Sequence, residues 1–125
     1  MAKKISILIV DDEESVRDSL YNWFIDDGYA VECAESAKKA LSMLEVKDFD
    51  IILADIKMPG MDGLEMHKRI KTLNKEPIFI VMTAFASVDT AVQALKNGAY
   101  DYVTKPLDIN LIRAIISDAL GEKKR

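Results

Sequence analysis

Apolar positions along this chain follow two rhythms. Segments dominated by β-branched and other apolar residues run from Ile5 to Val10 (interrupted only by Ser6), Tyr29 to Cys33, Asp50 to Asp55, Pro77 to Thr83 and Ala99 to Thr104. Apolar runs of this length, without polar alternation, predict strands buried on both faces. Between them, apolar residues return at helical spacing and predict amphipathic helices. The inward stripes read as Val16, Leu20, Trp23 and Phe24; Ala37, Ala40, Leu41 and Leu44; Met66, Ile70 and Leu73; Val88, Ala91, Val92 and Leu95; and Ile112, Ile115, Ile116 and Ala119. Local chemistry agrees with these boundaries. Gly28 and Asn97-Gly98 stop helices, Asn74 to Pro77 break one, Ser36, Ser87 and Asp108 suit N-caps, and Asp62-Gly63 introduces the third helix.

Five strands alternating with five helices through short connections define an α/β domain whose parallel sheet is covered on both faces. The expected architecture is a flavodoxin-like, doubly wound (βα)5 fold with strand order 2-1-3-4-5. In such a sheet ligands sit outside the carboxyl ends of the strands, so the residues that end each run matter most. Those residues are Asp11-Asp12 after strand one, Asp55 after strand three, Thr83 at the end of strand four and Lys105 after strand five. The Asp55 strand is followed by Ile56-Lys57-Met58-Pro59-Gly60-Met61-Asp62-Gly63, a loop rich in Pro and Gly. Order 2-1-3-4-5 makes strands one and three neighbours and gathers the three carboxylates at the switch point, with Thr83 and Lys105 beside them.

Each of these residues has a plainer reading when taken alone. Asp12 could be only the N-cap of the first helix, Asp55 only a turn-capping strand end, Thr83 only a strand residue and Lys105 only a solvated charge. All four rim positions being polar by coincidence is the weaker account. Three convergent carboxylates repel one another unless a cation compensates. Mg²⁺ suits them, because it takes oxygen ligands, keeps several waters and is held by one or two carboxylates plus phosphate oxygens. Such a pocket suits phosphoryl transfer to a carboxylate nucleophile, with the metal, Lys105 and Thr83 each able to take one equatorial oxygen.

Composition narrows the picture further. The 125 residues are half apolar and 30% charged, enough for one domain with its own core, and no apolar run has the length of a membrane span. The apolar run after Met1-Ala2-Lys3-Lys4 is too short for a secretory signal, and the single Cys33 cannot form an internal disulfide, so a cytoplasmic address is expected. A net charge of −4 offers no electrostatic case for nucleic-acid binding by this domain.

The motifs Ile9-Val10-Asp11-Asp12-Glu13, Asp55 to Gly63, Met82-Thr83-Ala84 and Gly98-Ala99-Tyr100-Asp101-Tyr102-Val103-Thr104-Lys105-Pro106 together resemble the receiver domain of bacterial two-component response regulators, over essentially the whole chain. The resemblance implies Asp55 as phosphoacceptor and Mg²⁺ held by Asp11, Asp12, Asp55 and the backbone carbonyl of Lys57. It also implies Thr83 as the switch hydroxyl, Lys105 as the phosphoryl clamp, and Tyr102 as the aromatic that changes rotamer. A cis Lys105-Pro106 bond is implied too, as is tuning of aspartyl-phosphate hydrolysis at Lys57 and Phe85. Its implied partners are a sensor histidine kinase as phosphodonor and an output domain or target protein on the face made by the fourth helix, fifth strand and fifth helix, with a homodimer on phosphorylation. Such a phosphoprotein is not a conventional enzyme: it promotes only its own phosphorylation and dephosphorylation. Thr83-Ala84-Phe85-Ala86-Ser87 with Thr90-Ala91-Val92 and the Gly98 to Pro106 run is similar, more finely, to receivers of nitrogen-regulator-type enhancer-binding transcription activators. The expected receiver unit is 1–121, with 122–125 a tail or the start of a linker, the chain being either a stand-alone receiver or one cut at its linker, with the cut domain favoured.

Three rival functions share parts of this pattern. A Mg²⁺-dependent phosphatase with an Asp nucleophile wants a second Asp two places on in strand one, where this chain has Glu13. A flavin mononucleotide module would be repelled by the acidic run Asp11 to Glu14. An interaction module that is never phosphorylated requires the pocket to be vestigial, against the intact side-chain set. Other conspicuous residues read as structural. His67, among Lys68, Arg69 and Lys71 and without a ligand partner, is expected to be solvated. Trp23 and Phe24 are expected to anchor the first helix in the core. Met58 and Met61 could either shield an acyl phosphate or touch the kinase.

Overall fold

The computed structural model describes residues 4–84 and 87–123; Met1 to Lys3, Phe85, Ala86, Lys124 and Arg125 lie outside them. The elements in order are β1 (Ser6–Val10), α1 (Glu14–Asp26), β2 (Ala30–Ala34), α2 (Ala37–Val46), β3 (Ile51–Asp55), α3 (Gly63–Thr72), β4 (Ile78–Thr83), α4 (Val88–Lys96), β5 (Asp101–Thr104) and α5 (Ile109–Lys123). All the strand pairings are parallel, as the alternation of strands and helices predicts, and the sheet order is β2-β1-β3-β4-β5, the order expected of a flavodoxin-like fold.

Side-chain alternation along the strands sorts the helices into two layers. Ile7, Ile9, Ile51, Leu53, Ile78 and Ile80 face a core completed by α1 and α5, through Leu20, Phe24, Ile112 and Ile116. Leu8, Val10, Ile52, Ala54, Phe79 and Val81 face the other way, toward Ala37, Ala40 and Leu44 of α2, Met66 and Ile70 of α3 and Ala94 of α4. Because β1, β3 and β4 are covered on both sides, they read in the sequence as apolar runs broken only by Ser6 and by the polar residues that end β3 and β4. The caps hold as the sequence suggests. Ser36 accepts from the Lys39 N–H, Asp62 from Glu65, Ser87 from Thr90, and Asp108 from Asn110. Each satisfies an N–H that the helix itself leaves without a partner.

Two expectations fail. The α4 stripe Val88, Val92 and Leu95 does not face inward: Val88 is 79% exposed, and the helix buries Ala91 and Ala94 instead. His67 is not solvated. It is 4% exposed, with its ring stacked on Phe79 at a centroid distance of 4.0 Å and an interplanar angle of 4°. Its position explains this, since 63, 66, 67 and 70 form one helical stripe and α3 packs that stripe on the sheet. Phe24 is fully buried as expected, whereas Trp23 is only partly buried against the same core. Met58 is buried, and Met61 packs partly against the core that Met58 belongs to.

Candidate functional site

The carboxyl rim of the sheet is where the register delivers polar side chains. The β1–β3 ladder ends at the pair Val10 and Ala54, so the next residues, Asp11 and Asp55, emerge side by side. The β4–β5 ladder ends at Thr83 and Thr104, and the Lys105 N–H donates to the Thr83 carbonyl at 2.8 Å. Asp11, Asp55 and Lys105 keep the parity of Ile9, Leu53 and Val103, the side of the sheet covered by α1 and α5. Thr83 keeps the parity of Phe79 and Val81, which belong to the opposite side. Asp11, Asp55 and Lys105 thus meet on one side of the carboxyl rim, and Thr83 stands at the same rim with the opposite parity.

Gly63 sets how closely the α3 end can approach. A Cβ on Gly63 would lie 2.3 Å from the Asp55 carbonyl oxygen, and the Gly63 N–H donates to the Ile56 carbonyl at 3.0 Å. Only a residue without a side chain lets the first turn of α3 close over the end of β3. The Asp55 carboxylate is in turn fixed by the Lys57 N–H, which donates to its Oδ1 at 3.1 Å.

Lys105 binds the cluster together. Its Nζ lies 2.8 Å from Asp11 Oδ2, 3.0 Å from Asp55 Oδ2 and 3.0 Å from Glu13 Oε1. The Lys105–Pro106 bond is cis. Asp11 is fully buried, Asp55 and Thr83 nearly so, while Asp12 is exposed at the lip. Burial is the main cause that raises the Asp11 pKa above the ordinary carboxylate range; hydrogen bonds from Lys105 and the Glu13 N–H oppose it, and the charge of Asp55 adds to it. For Lys105, burial alone would lower the pKa, but its hydrogen bonds to Asp11, Asp55 and Glu13 outweigh burial and raise it. The ammonium is thus held charged inside the acidic group.

Asp11, Asp12 and Asp55 each offer a carboxylate oxygen, and these atoms lie within 4.8 Å of one another. An all-oxygen, acidic donor set of this size fits a hard divalent cation. Tyr102 stands on β5 beside the rim and is 37% exposed. Glu13 is the member that sequence reading missed. It occupies the N-cap position of α1, where Glu is a poor cap, and its side chain makes no capping hydrogen bond. In the sequence its signal is its place in the acidic run Asp11 to Glu14.

With this geometry in view, the chain's kinship is plain: it belongs to the response regulator receiver domain family, which it matches over residues 7–117. Among curated relatives it is 43% identical over 122 residues to the transcriptional regulatory protein ZraR of Klebsiella oxytoca, covering 98% of this chain and 28% of that protein. It is 40% identical over 113 residues to the DNA-binding transcriptional regulator NtrC of Klebsiella pneumoniae, covering 90% of this chain and 24% of that protein. The finer likeness to receivers of enhancer-binding transcription activators is met by these relatives. The chain spans about a quarter of the length of these relatives. Among solved structures, a CheY-like response regulator receiver domain protein from Methanospirillum hungatei superimposes with a TM-score of 0.92 at 33% identity, covering 98% of each chain.

Proposed function

We propose that this receiver domain takes a phosphoryl group onto the Asp55 carboxylate and that the modified domain changes the face it offers to a partner. The observation that carries this reading is the Lys105 ammonium lying within 3.0 Å of both Asp11 and Asp55 at the rim where the three acids converge. One Asp55 oxygen attacks phosphorus in line, the bond from phosphorus to the donor breaks, and the donor leaves with the electron pair. The donor is the phosphohistidine of a sensor histidine kinase or a small acyl phosphate. Lys105 and the Thr83 hydroxyl each take a phosphoryl oxygen. Asp11, Asp12, Asp55 and the Lys57 carbonyl would hold Mg²⁺, which supplies charge neutralisation for the transferring group. Water later attacks the same phosphorus, releasing inorganic phosphate and restoring the carboxylate.

The switching element we assign is Thr83 with Tyr102. Thr83 moving toward the phosphoryl group vacates space into which Tyr102 can turn, which reshapes the face of α4, β5 and α5. Full conversion of such an element needs roughly 5 kcal/mol of differential stabilisation. That face already exposes Val88, Val92, Leu95, Tyr102 and Leu111, as expected of a surface for an output domain, a target protein or a second copy of the chain. The two named relatives, both regulators of transcription, support a transcriptional output. The unit we assign to the receiver is 1–121, with 122–125 as tail or linker start. Among the described residues no helix is long and apolar enough to cross a membrane, which accords with a cytoplasmic site of action.

Incubation with acetyl phosphate, with and without Mg²⁺, followed by intact-mass measurement of wild type and Asp55→Asn, tests the reading. A Mg²⁺-dependent gain of one phosphoryl group that the variant lacks is expected. No gain in wild type under either condition overturns it.

A further inference from the structure

We infer that Glu13 is a positioning residue that holds the Lys105 ammonium at the mouth of the acidic pocket and competes for it with an incoming phosphoryl oxygen; this rests on the phosphoacceptor reading of Asp55. An ammonium has three N–H donors, and Lys105 has three carboxylate partners, Asp11, Asp55 and Glu13, at 2.8 to 3.0 Å. No donor is left for a phosphoryl oxygen until one partner yields. The side chains of Asp11 and Asp55 are 0% and 6% exposed, and a carboxylate released at either would stay largely unsolvated. The Glu13 side chain is 58% exposed and is rehydrated on release. Glu13 is therefore the partner that gives way.

The contact is built by the local fold. The Glu13 N–H donates to Asp11 Oδ1 at 2.9 Å, so Asp11, which holds Lys105, also fixes the backbone of Glu13. Its extended backbone at the α1 N-cap leaves the side chain unused by the helix and directed to Lys105. Glu13 is not one of the three acids whose carboxylate oxygens lie within 4.8 Å of one another. With Lys105, Val16, Trp23 and Pro106 it lines an open groove of about 290 Å³ beside the pocket.

Removing this competitor frees one Lys105 donor for the phosphoryl group. Glu13→Gln should raise the rate of Asp55 phosphorylation by acetyl phosphate about two- to fivefold at low ionic strength, the scale of one exposed ion pair, and the gain should shrink with added salt. Glu14→Gln removes the same charge from the adjacent exposed residue, which is not among Lys105's three partners, and should change the rate much less. A second readout needs neither metal nor phosphodonor. In metal-free wild type the Lys105 side-chain ammonium resonance should be protected from solvent exchange, in Glu13→Gln it should exchange faster, and in Glu14→Gln it should match wild type. A phosphorylated wild type with Glu13→Gln no faster than Glu14→Gln, or unchanged Lys105 exchange in Glu13→Gln, overturns the competition while the receiver reading stands. A wild type that never gains the phosphoryl group overturns both.

Discussion

His67 gives the domain an acid-sensitive joint between α3 and the sheet. Its ring lies flat against Phe79, and its Nδ1 is, among the described residues, the one buried side-chain nitrogen or oxygen without a hydrogen-bond partner. Burial first, and the nearby Lys71 charge second, lower its pKa from 6.5 to about 4, so the ring is neutral in the folded state at neutral pH. The unfolded chain binds this proton more readily than the folded one. The associated stability is therefore complete above the unfolded pKa and is lost as pH falls from 6.5 toward 4. With those two values, linkage gives a loss of about 2 kcal/mol between roughly pH 7 and pH 5. Urea unfolding of wild type and His67→Leu across this range isolates that contribution, because the carboxylates titrate in both proteins. Wild type should lose about 2 kcal/mol more than the variant between the two pH values. The variant should match or exceed wild-type stability at neutral pH, since it removes an unpaired buried polar atom. Parallel stability curves for the two proteins would refute the reasoning.

Two further outcomes test how the site is held and how it signals. Gly63→Ala places a methyl group 2.3 Å from the Asp55 carbonyl, so α3 or the end of β3 must shift. A cost of about 1 to 3 kcal/mol in urea unfolding is expected, with slower phosphorylation of Asp55, and a variant as stable and as fast as wild type would contradict the close approach. Thr83→Ala should still accept a phosphoryl group on Asp55 but leave the Tyr102 ring resonances where they stand in the unmodified protein. A wild-type shift of those resonances in the variant would separate Tyr102 from Thr83.

Why some of this was legible in the sequence, and some not, follows from which interactions are local. A strand buried on both faces must be apolar along its whole length, so β1, β3 and β4 announce themselves, and the polar residue that ends each marks the rim. Asp11, Asp55, Thr83 and Lys105 could therefore be gathered once the strand order was assumed, and the order 2-1-3-4-5 is the one observed. His67 was misjudged from its charged neighbours Lys68, Arg69 and Lys71. Counting from Gly63 along the helical repeat would have placed it on the buried stripe with Met66 and Ile70. Glu13 was passed over because its partner Lys105 is 92 residues away, a contact created only when β1 and β5 present their ends to the same pocket.

Periodicity identifies an apolar stripe but not what covers it, and in α4 the intramolecular core takes the small residues Ala91 and Ala94 while Val88, Val92 and Leu95 stay outside. Burying a methyl group contributes on the order of 1 kcal/mol, whereas α5 is anchored by Ile112, Ile115 and Ile116, each worth roughly 1.5 to 3 kcal/mol. Displacing α4 therefore costs the core far less than displacing α5. A helix whose buried residues are two alanines, with its larger apolar residues turned outward, is the element of the proposed α4, β5 and α5 face that the core resists moving least. The sequence pattern that looked like a buried face is, on this account, the surface through which a rearrangement at Asp55 would be felt.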